Sequence, residues 1–259
     1  MDEGFGDDKH NVSPKKNVIL NMNTTRFFRT LKVLLFVCIV LLTCVAAVIL
    51  PERRLSGVPL LSDFMAQAAP TLEPDQTLDD VPLYEQPTSA TCGPTAFAMA
   101  WNYAHADKAL NLWSVITLAT KQGWYLPGDS AGVYTSPDHM YDMAVYYANQ
   151  NGALAPEFGR VSSQQQGVVV LFSQIAMGRP VIVDVNTLIG DTTSPAHFVV
   201  VTGISLTQGV VYYNDPFGYI DADEHQAHEG QADWSKFWLS WSSNGDDNGK
   251  GNGWYMVVR

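Results

Sequence analysis

Cys92, His197 and Asp215 have the types and spacing of a thiol nucleophile, a base and a group that holds the base. Cys92 stands in Thr91-Cys92-Gly93-Pro94, immediately before a run rich in helix formers, and Pro94 suits a first helical turn. A helix start presents unpaired N–H groups and a partial positive charge, and both favour thiolate over thiol. Gly93 is expected to let the backbone approach a substrate closely. A nucleophile of this kind needs a base, and the base needs an orienting partner. Among His105, His139, His197, His225 and His228, only His197 opens a strong strand pattern, after Ser194-Pro195-Ala196. Asp215 ends the next strand pattern, 18 residues later. An antiparallel hairpin turning at Gln208-Gly209 would set the start of one strand beside the end of the other. The carboxylate would then fix the tautomer and orientation of the imidazole. The plainer alternatives are a buried, inert cysteine and two polar residues at strand ends.

The elements that must position these residues follow in a simple order. Helix patterns cover residues 92–106, 112–122, 137–149 with Ser136 as N-cap, and 163–177, which Gly178 ends. Strand patterns follow at residues 180–186, 197–206, 210–215 and 254–258, rich in Val, Ile and Tyr and separated by Gly, Asn and Asp. A run of helices followed by a run of strands is an α+β signature.

Ahead of this domain the composition changes. Residues 33–50 form an 18-residue stretch without charge, Gly or Pro. As a helix it would span about 27 Å, close to the hydrocarbon thickness of a bilayer. Lys15, Lys16, Arg26, Arg29 and Lys32 precede it, so the N-terminus is expected in the cytoplasm and the C-terminal domain outside. A cleaved signal peptide would have a shorter apolar region and a small-residue cleavage site, and Val48-Ile49-Leu50-Pro51 is a poor one. The expected organisation is a cytoplasmic tail at 1–32, a transmembrane helix at 33–50, a Pro- and Ala-containing linker at 51–80, and a folded domain at 81–259. Cys38 and Cys44 fall in the proposed span, which leaves Cys92 as the single thiol of the exported domain. The formal net charge is -11. The first 54 residues hold eight of the 15 Lys and Arg against five of the 26 Asp and Glu, so the exported part is strongly acidic. Such a surface repels phosphate backbones, and nucleic acid is not expected as a partner.

Val81-Pro82-Leu83-Tyr84-Glu85-Gln86 followed by Cys92-Gly93-Pro94-Thr95-Ala96 resembles the start of the bacteriocin-processing cysteine peptidase family, a branch of the papain-like group. Pro195-Ala196-His197-Phe198-Val199-Val200-Val201-Thr202-Gly203 resembles its His block, and Asn214-Asp215-Pro216 its Asp block. The blocks fall in the family's order and cover most of residues 81–220. The resemblance implies a papain-like α+β fold, with the Cys on a helical part and the His and Asp on a sheet. It also implies roles: Cys92 as nucleophile, His197 as proton shuttle, Asp215 as its orienting partner, and Gln86 as an oxyanion donor beside the Cys92 N–H. Leader-processing members precede a multi-span transporter and face the cytosol. This chain has one apolar span and no G-x-x-x-x-G-K-[ST] loop, so its substrate is expected to be an extracytoplasmic peptide or protein and not a double-glycine leader.

Two other readings use the same residues: amidase or transpeptidase work on cell-wall peptides, and a catalytically silent domain that captures peptides. No cofactor and no metal is expected. His225 and His228 have a spacing that a metal could use, but lack the H-E-x-x-H pattern, and read as a solvated loop. Residues 245–253, rich in Gly, Asp and Asn, read as a turn in preference to a calcium loop. Trp234, Trp238 and Trp241 lie on one face of a possible helix and read as core in preference to a carbohydrate platform. Trp124 and Tyr125 are expected to line the cleft.

Overall fold

In the computed structural model, residues 73–125, 135–219, 225–244, 249 and 251–259 are described. The proposed tail, the apolar stretch 33–50 and most of the linker lie outside them. Among the described residues no helix is long and apolar enough to cross a membrane.

The described residues begin with a short strand, β1 (Asp75–Thr77), and then three α-helices, α1 (Cys92–Ala104), α2 (Leu112–Gln122) and α3 (Pro137–Asn151). Strand β2 (Glu157–Arg160) and helix α4 (Gln164–Ala176) lead to β3 (Val181–Asn186), β4 (Ala196–Ser205), β5 (Val210–Tyr219) and β6 (His225–Asp233). Helix α5 (Trp234–Ser243) and strand β7 (Trp254–Val257) end the chain. The helix starts obey local chemistry: Asn111, Ser136 and Ser163 each accept a hydrogen bond from a backbone N–H of the first turn.

The strands form one sheet in the order β2-β7-β3-β4-β5-β6, with β1 paired to the far end of β4. Every pairing is antiparallel. The β4–β5 hairpin turns at Gly209, whose φ of 67° is the left-handed conformation that the turn needs. Strand β3 shows how the sheet is filled on both sides. Ile182 joins a core with Phe97, Trp101, Met140, Phe198 and Met256, whereas Val181, Val183 and Val185 join a second core with Leu171, Phe237 and Trp241. Helix α1 packs across β4 and β5, while α4 and α5 pack on β4 and β3 respectively. Residues 92–102 of α1 are all buried, which explains a helix with apolar residues on every side.

Three strands had no sequence signal, the three-residue β1 (DQT) among them. β2 (EFGR) and β6 (HQAHEGQAD) lack the Val and Ile enrichment of the others. β6 is a strand because β5 pairs with it from Val210↔Asp233 to Tyr219↔His225, and the solvated-loop reading of His225 and His228 is corrected accordingly. The Trp stripe is core: Trp241 is fully buried, and Gly167 of α4 leaves room for all three indoles, since an added Cβ would meet each within 3.0–3.3 Å.

Gly253 joins β7 to its neighbour. Its φ is 65°, and a Cβ there would lie 2.0 Å from the Val161 carbonyl oxygen. Gly253→Ala is therefore expected to cost about 3 kcal/mol or more in folding stability, since strain and a backbone clash coincide. A shift in the urea midpoint of less than about a tenth of the wild-type value would contradict this reading.

Candidate active site

Cys92 is the first residue of α1, is 4% exposed and is a free thiol. Its N–H is one of the first-turn donors that have no partner within the helix. No acidic residue occupies that first turn, so nothing there offsets the positive end of the helix. Gly93 has a packing reason that the sequence did not reveal. A Cβ at Gly93 would stand 2.9 Å from Thr135 Cβ and 3.0 Å from Met140 Sδ, so α3 and the residues before it need the glycine.

His197 is the second residue of β4, opposite Val185 of β3. The β4–β5 register pairs Val200 with Asn214 and Val201 with Tyr213, which carries Asp215 toward the end of the sheet that holds His197. The side chains meet: His197 Nε2 lies 2.6 Å from Asp215 Oδ1, with both residues buried. The Phe217 N–H donates to the same oxygen at 2.8 Å. With Nε2 engaged, the other ring nitrogen is left for the Cys92 thiol, which is within hydrogen-bonding reach of the imidazole.

The electrostatics follow from this arrangement. Burial is the largest influence on His197 and opposes its cation, but the Asp215 charge and hydrogen bond, joined by Cys92, outweigh it. His197 therefore titrates well above its ordinary value. For Asp215, burial again opposes the charged form, and the His197 charge, the two hydrogen bonds and the more distant His228 charge prevail, so its carboxyl titrates below the ordinary carboxylate range. Tyr213, buried beside that carboxylate, is pushed up to about 12. On its outer side Asp215 borders a groove of about 390 Å³, lined also by Thr187, Leu188, Tyr213, His228 and Lys236.

Gln86 is 4% exposed and is held from two directions. Its backbone N–H donates to the Pro216 carbonyl at 3.0 Å, which ties the segment before Cys92 to the residue after Asp215. Its side-chain Nε2 donates to the Thr88 carbonyl at 2.7 Å. An amide nitrogen carries two hydrogens, so one fixes the rotamer and the second remains available. The Tyr125 hydroxyl lies 3.4 Å from Thr88 Oγ1, on the edge of this segment, while Trp124 packs on Tyr146. The loop 126–134 that follows lies outside the described residues.

Sequence reasoning missed Asn214 as a positioning residue. Its buried Nδ2 donates to the carbonyls of Val81 and Pro82 at 3.0 and 3.2 Å, strapping the N-terminal segment to β5. The clue available was its place beside Asp215 in a strand otherwise built from Val and Tyr. Among the described residues no three His, Cys, Asp or Glu side chains cluster to hold a metal.

A thiol at the start of a buried helix, facing an imidazole that a strand presents against a buried carboxylate, defines a papain-like α+β protein. The chain matches the model of the Peptidase_C39 like family over residues 78–247 and belongs to that family of cysteine peptidases. A crystal structure from Bacillus anthracis described as C39-like is 15% identical, with a TM-score of 0.46, covering 71% of this chain and 98% of that chain. No curated protein matches the sequence.

Proposed function

We propose that this chain is a membrane-anchored, extracytoplasmic cysteine peptidase that cleaves peptide bonds through Cys92, His197 and Asp215, with Gln86 as an oxyanion donor. The observation that supports the reading best is the buried His197–Asp215 pair, 2.6 Å apart, beside a free thiol at a helix start. In this mechanism the Cys92 sulfur attacks the scissile carbonyl carbon while its proton resides on His197. The carbonyl oxygen becomes an oxyanion that the Cys92 N–H and the second hydrogen of Gln86 Nε2 stabilise. The tetrahedral intermediate collapses, the C–N bond breaks, and the imidazolium protonates the departing amine. Water then attacks the thioester with His197 as base, releasing the acid and returning the thiol. Asp215 keeps the ring oriented and its cation stabilised through both halves.

The substrate class we assign is an extracellular peptide or protein, because residues 33–50 read as a single anchor with the cations on their N-terminal side. Incubating the protein with a peptide library and reading new termini by mass spectrometry tests the activity, with Cys92→Ala as the control. Products in both samples, or in neither, would contradict it. Gln86→Ala is expected to lower kcat/KM about 10²–10³-fold, the usual loss for one oxyanion donor, while leaving Cys92 alkylation nearly unchanged. A parallel fall in alkylation would mean that Gln86 acts through packing instead. Deleting residues 33–50 should move the protein from the membrane to the soluble fraction.

A further inference from the structure

The groove of about 390 Å³ beside Asp215 has no part in the reaction proposed for Cys92 and His197. β5, β6, α5 and the connection after β3 build it. Tyr213 and Asp215 alternate on β5 and so share one face, and the register sets Gly230 and His228 of β6 directly opposite them. The Tyr213 ring lies across Gly230, where an added Cβ would come within 2.5 Å of it. From above, Phe237 of α5 packs on the same ring with centroids 5.8 Å apart. The floor is therefore aromatic and held from both sides. One wall is the β3–β4 connection at Thr187 and Leu188. Buried Ser240 of α5 pins that connection, accepting from the Gly190 N–H at 2.7 Å and donating to the Asp191 carbonyl at 3.2 Å. Lys236 of α5 runs its methylene stem past Gly190, where an added Cβ would lie 3.4–3.6 Å from three of its carbons. Among the described residues no carboxylate pairs with its ammonium, although Asp233 stands one turn back at the head of the same helix.

A chain of net charge -11 repels carboxylates in general, so one is accepted only where a local cation offsets that field. Lys236 offers such a cation in a preformed groove. The groove also has a direction. In peptide cleavage the departing amine takes its proton from His197, so the chain after the scissile bond leaves the thiol on the imidazole side. From the thiol across the ring to the Asp215 carboxylate is on the order of 8 Å, which two to three extended residues cover.

We propose that this groove binds the leaving segment of the substrate, and that Lys236 selects a carboxylate at its third residue or later, supplied by an acidic side chain or by the C-terminus. This assignment rests on the peptidase reading of Cys92 and His197, and it names a substrate class for that site. Lys236 touches substrate away from the reacting atoms, so its contribution falls on KM and leaves kcat in place.

The test digests a peptide library with the full-length chain in detergent and with its Lys236→Ala and Lys236→Glu variants. One arm of the library has free C-termini and the other amidated ones. A carboxylate at the third or later residue after the bond should be enriched among wild-type cleavages. The enrichment should fall about 5-fold in Lys236→Ala, and Lys236→Glu should favour Lys and Arg there instead. Enrichment that persists in the amidated arm assigns the carboxylate to side chains, and enrichment lost there assigns it to the C-terminus; either bears the proposal out. For a single cleaved peptide, Lys236→Ala should raise KM with kcat held. No enrichment, an enrichment unchanged in the variants, or one that lies before the scissile bond would overturn the proposal. Anisotropy of rhodamine-labelled acidic peptides on the Cys92→Ala chain, with and without Lys236→Ala, reads the groove in the absence of cleavage. Binding that needs Lys236, beside an uncleaved library, would sink the peptidase reading and leave a carboxylate-binding groove. Cleavage indifferent to Lys236 would do the reverse, and neither binding nor cleavage would end both.

Discussion

At about pH 6, iodoacetamide is expected to alkylate Cys92 rapidly in the intact chain, and about 100-fold more slowly in the His197→Ala variant. The reagent reads the thiolate, and a thiol without a cationic neighbour is almost wholly protonated at that pH. His197 supplies the cation because Asp215 outweighs the penalty of burying it. The helix start adds its partial positive charge to the same sulfur. At Cys92 the variant should label only above about pH 8, and Cys92→Ser should lose the rapid phase, leaving only labelling at Cys38 and Cys44. Rapid labelling that survives the loss of His197 would assign the reactivity to the helix alone and remove the imidazole from the mechanism. Slow labelling in both proteins would leave a domain that keeps the fold for capturing peptides.

Asp215→Ala is expected to cost about 3–5 kcal/mol of folding stability near pH 5.5, and distinctly less in strongly alkaline solution. The pH window follows from the directions of the two shifts. Asp215 is lowered, so its contribution is present above the ordinary carboxylate value of about 4 and is lost as the pH falls through its folded value. His197 is raised, so its contribution is complete below about 6.5 and is lost as the pH rises through its folded value. The pair is thus fully formed between about pH 4 and 6.5, where the substitution leaves a buried imidazole without its partner. Urea unfolding of both proteins at several pH values measures the difference. A loss that is equal at every pH would mean that Asp215 acts through packing and the Phe217 N–H, not through charge. Peptide hydrolysis should fall with the stability-corrected pair, because an unoriented imidazole no longer meets the thiol.

The parts of this molecule that could be read from the residues alone are those whose causes lie close in sequence. The start of α1 at Cys92 follows from Pro94 and the helix formers behind it. The hairpin turning at Gly209 brings His197 and Asp215 to one end of the sheet, but a one-residue register shift between Val201 and Gly203 decides which face Asp215 occupies, and no residue pattern announced it. The starts of α2, α3 and α4 follow from Asn111, Ser136 and Ser163. β1, β2 and β6 were not legible, because their strand state comes from pairing with β4, β7 and β5 and not from their own side chains. The same is true of the links that close the site. Asn214 reaches back to Val81 and Pro82 across more than 130 positions, and the Gln86 backbone binds Pro216.

Local propensity, turn chemistry and the order of the motifs were thus legible in the residues, and with them the thiol, the imidazole and the carboxylate that we propose act together. What surrounds them was set by packing between distant segments: the glycine at 93 that Thr135 and Met140 require, the rotamer of Gln86, and the burial of Asp184 on the strand next to that of His197. The physical reason is that burial and long-range hydrogen bonds depend on which distant residues arrive at a place, and no single window of sequence contains them both.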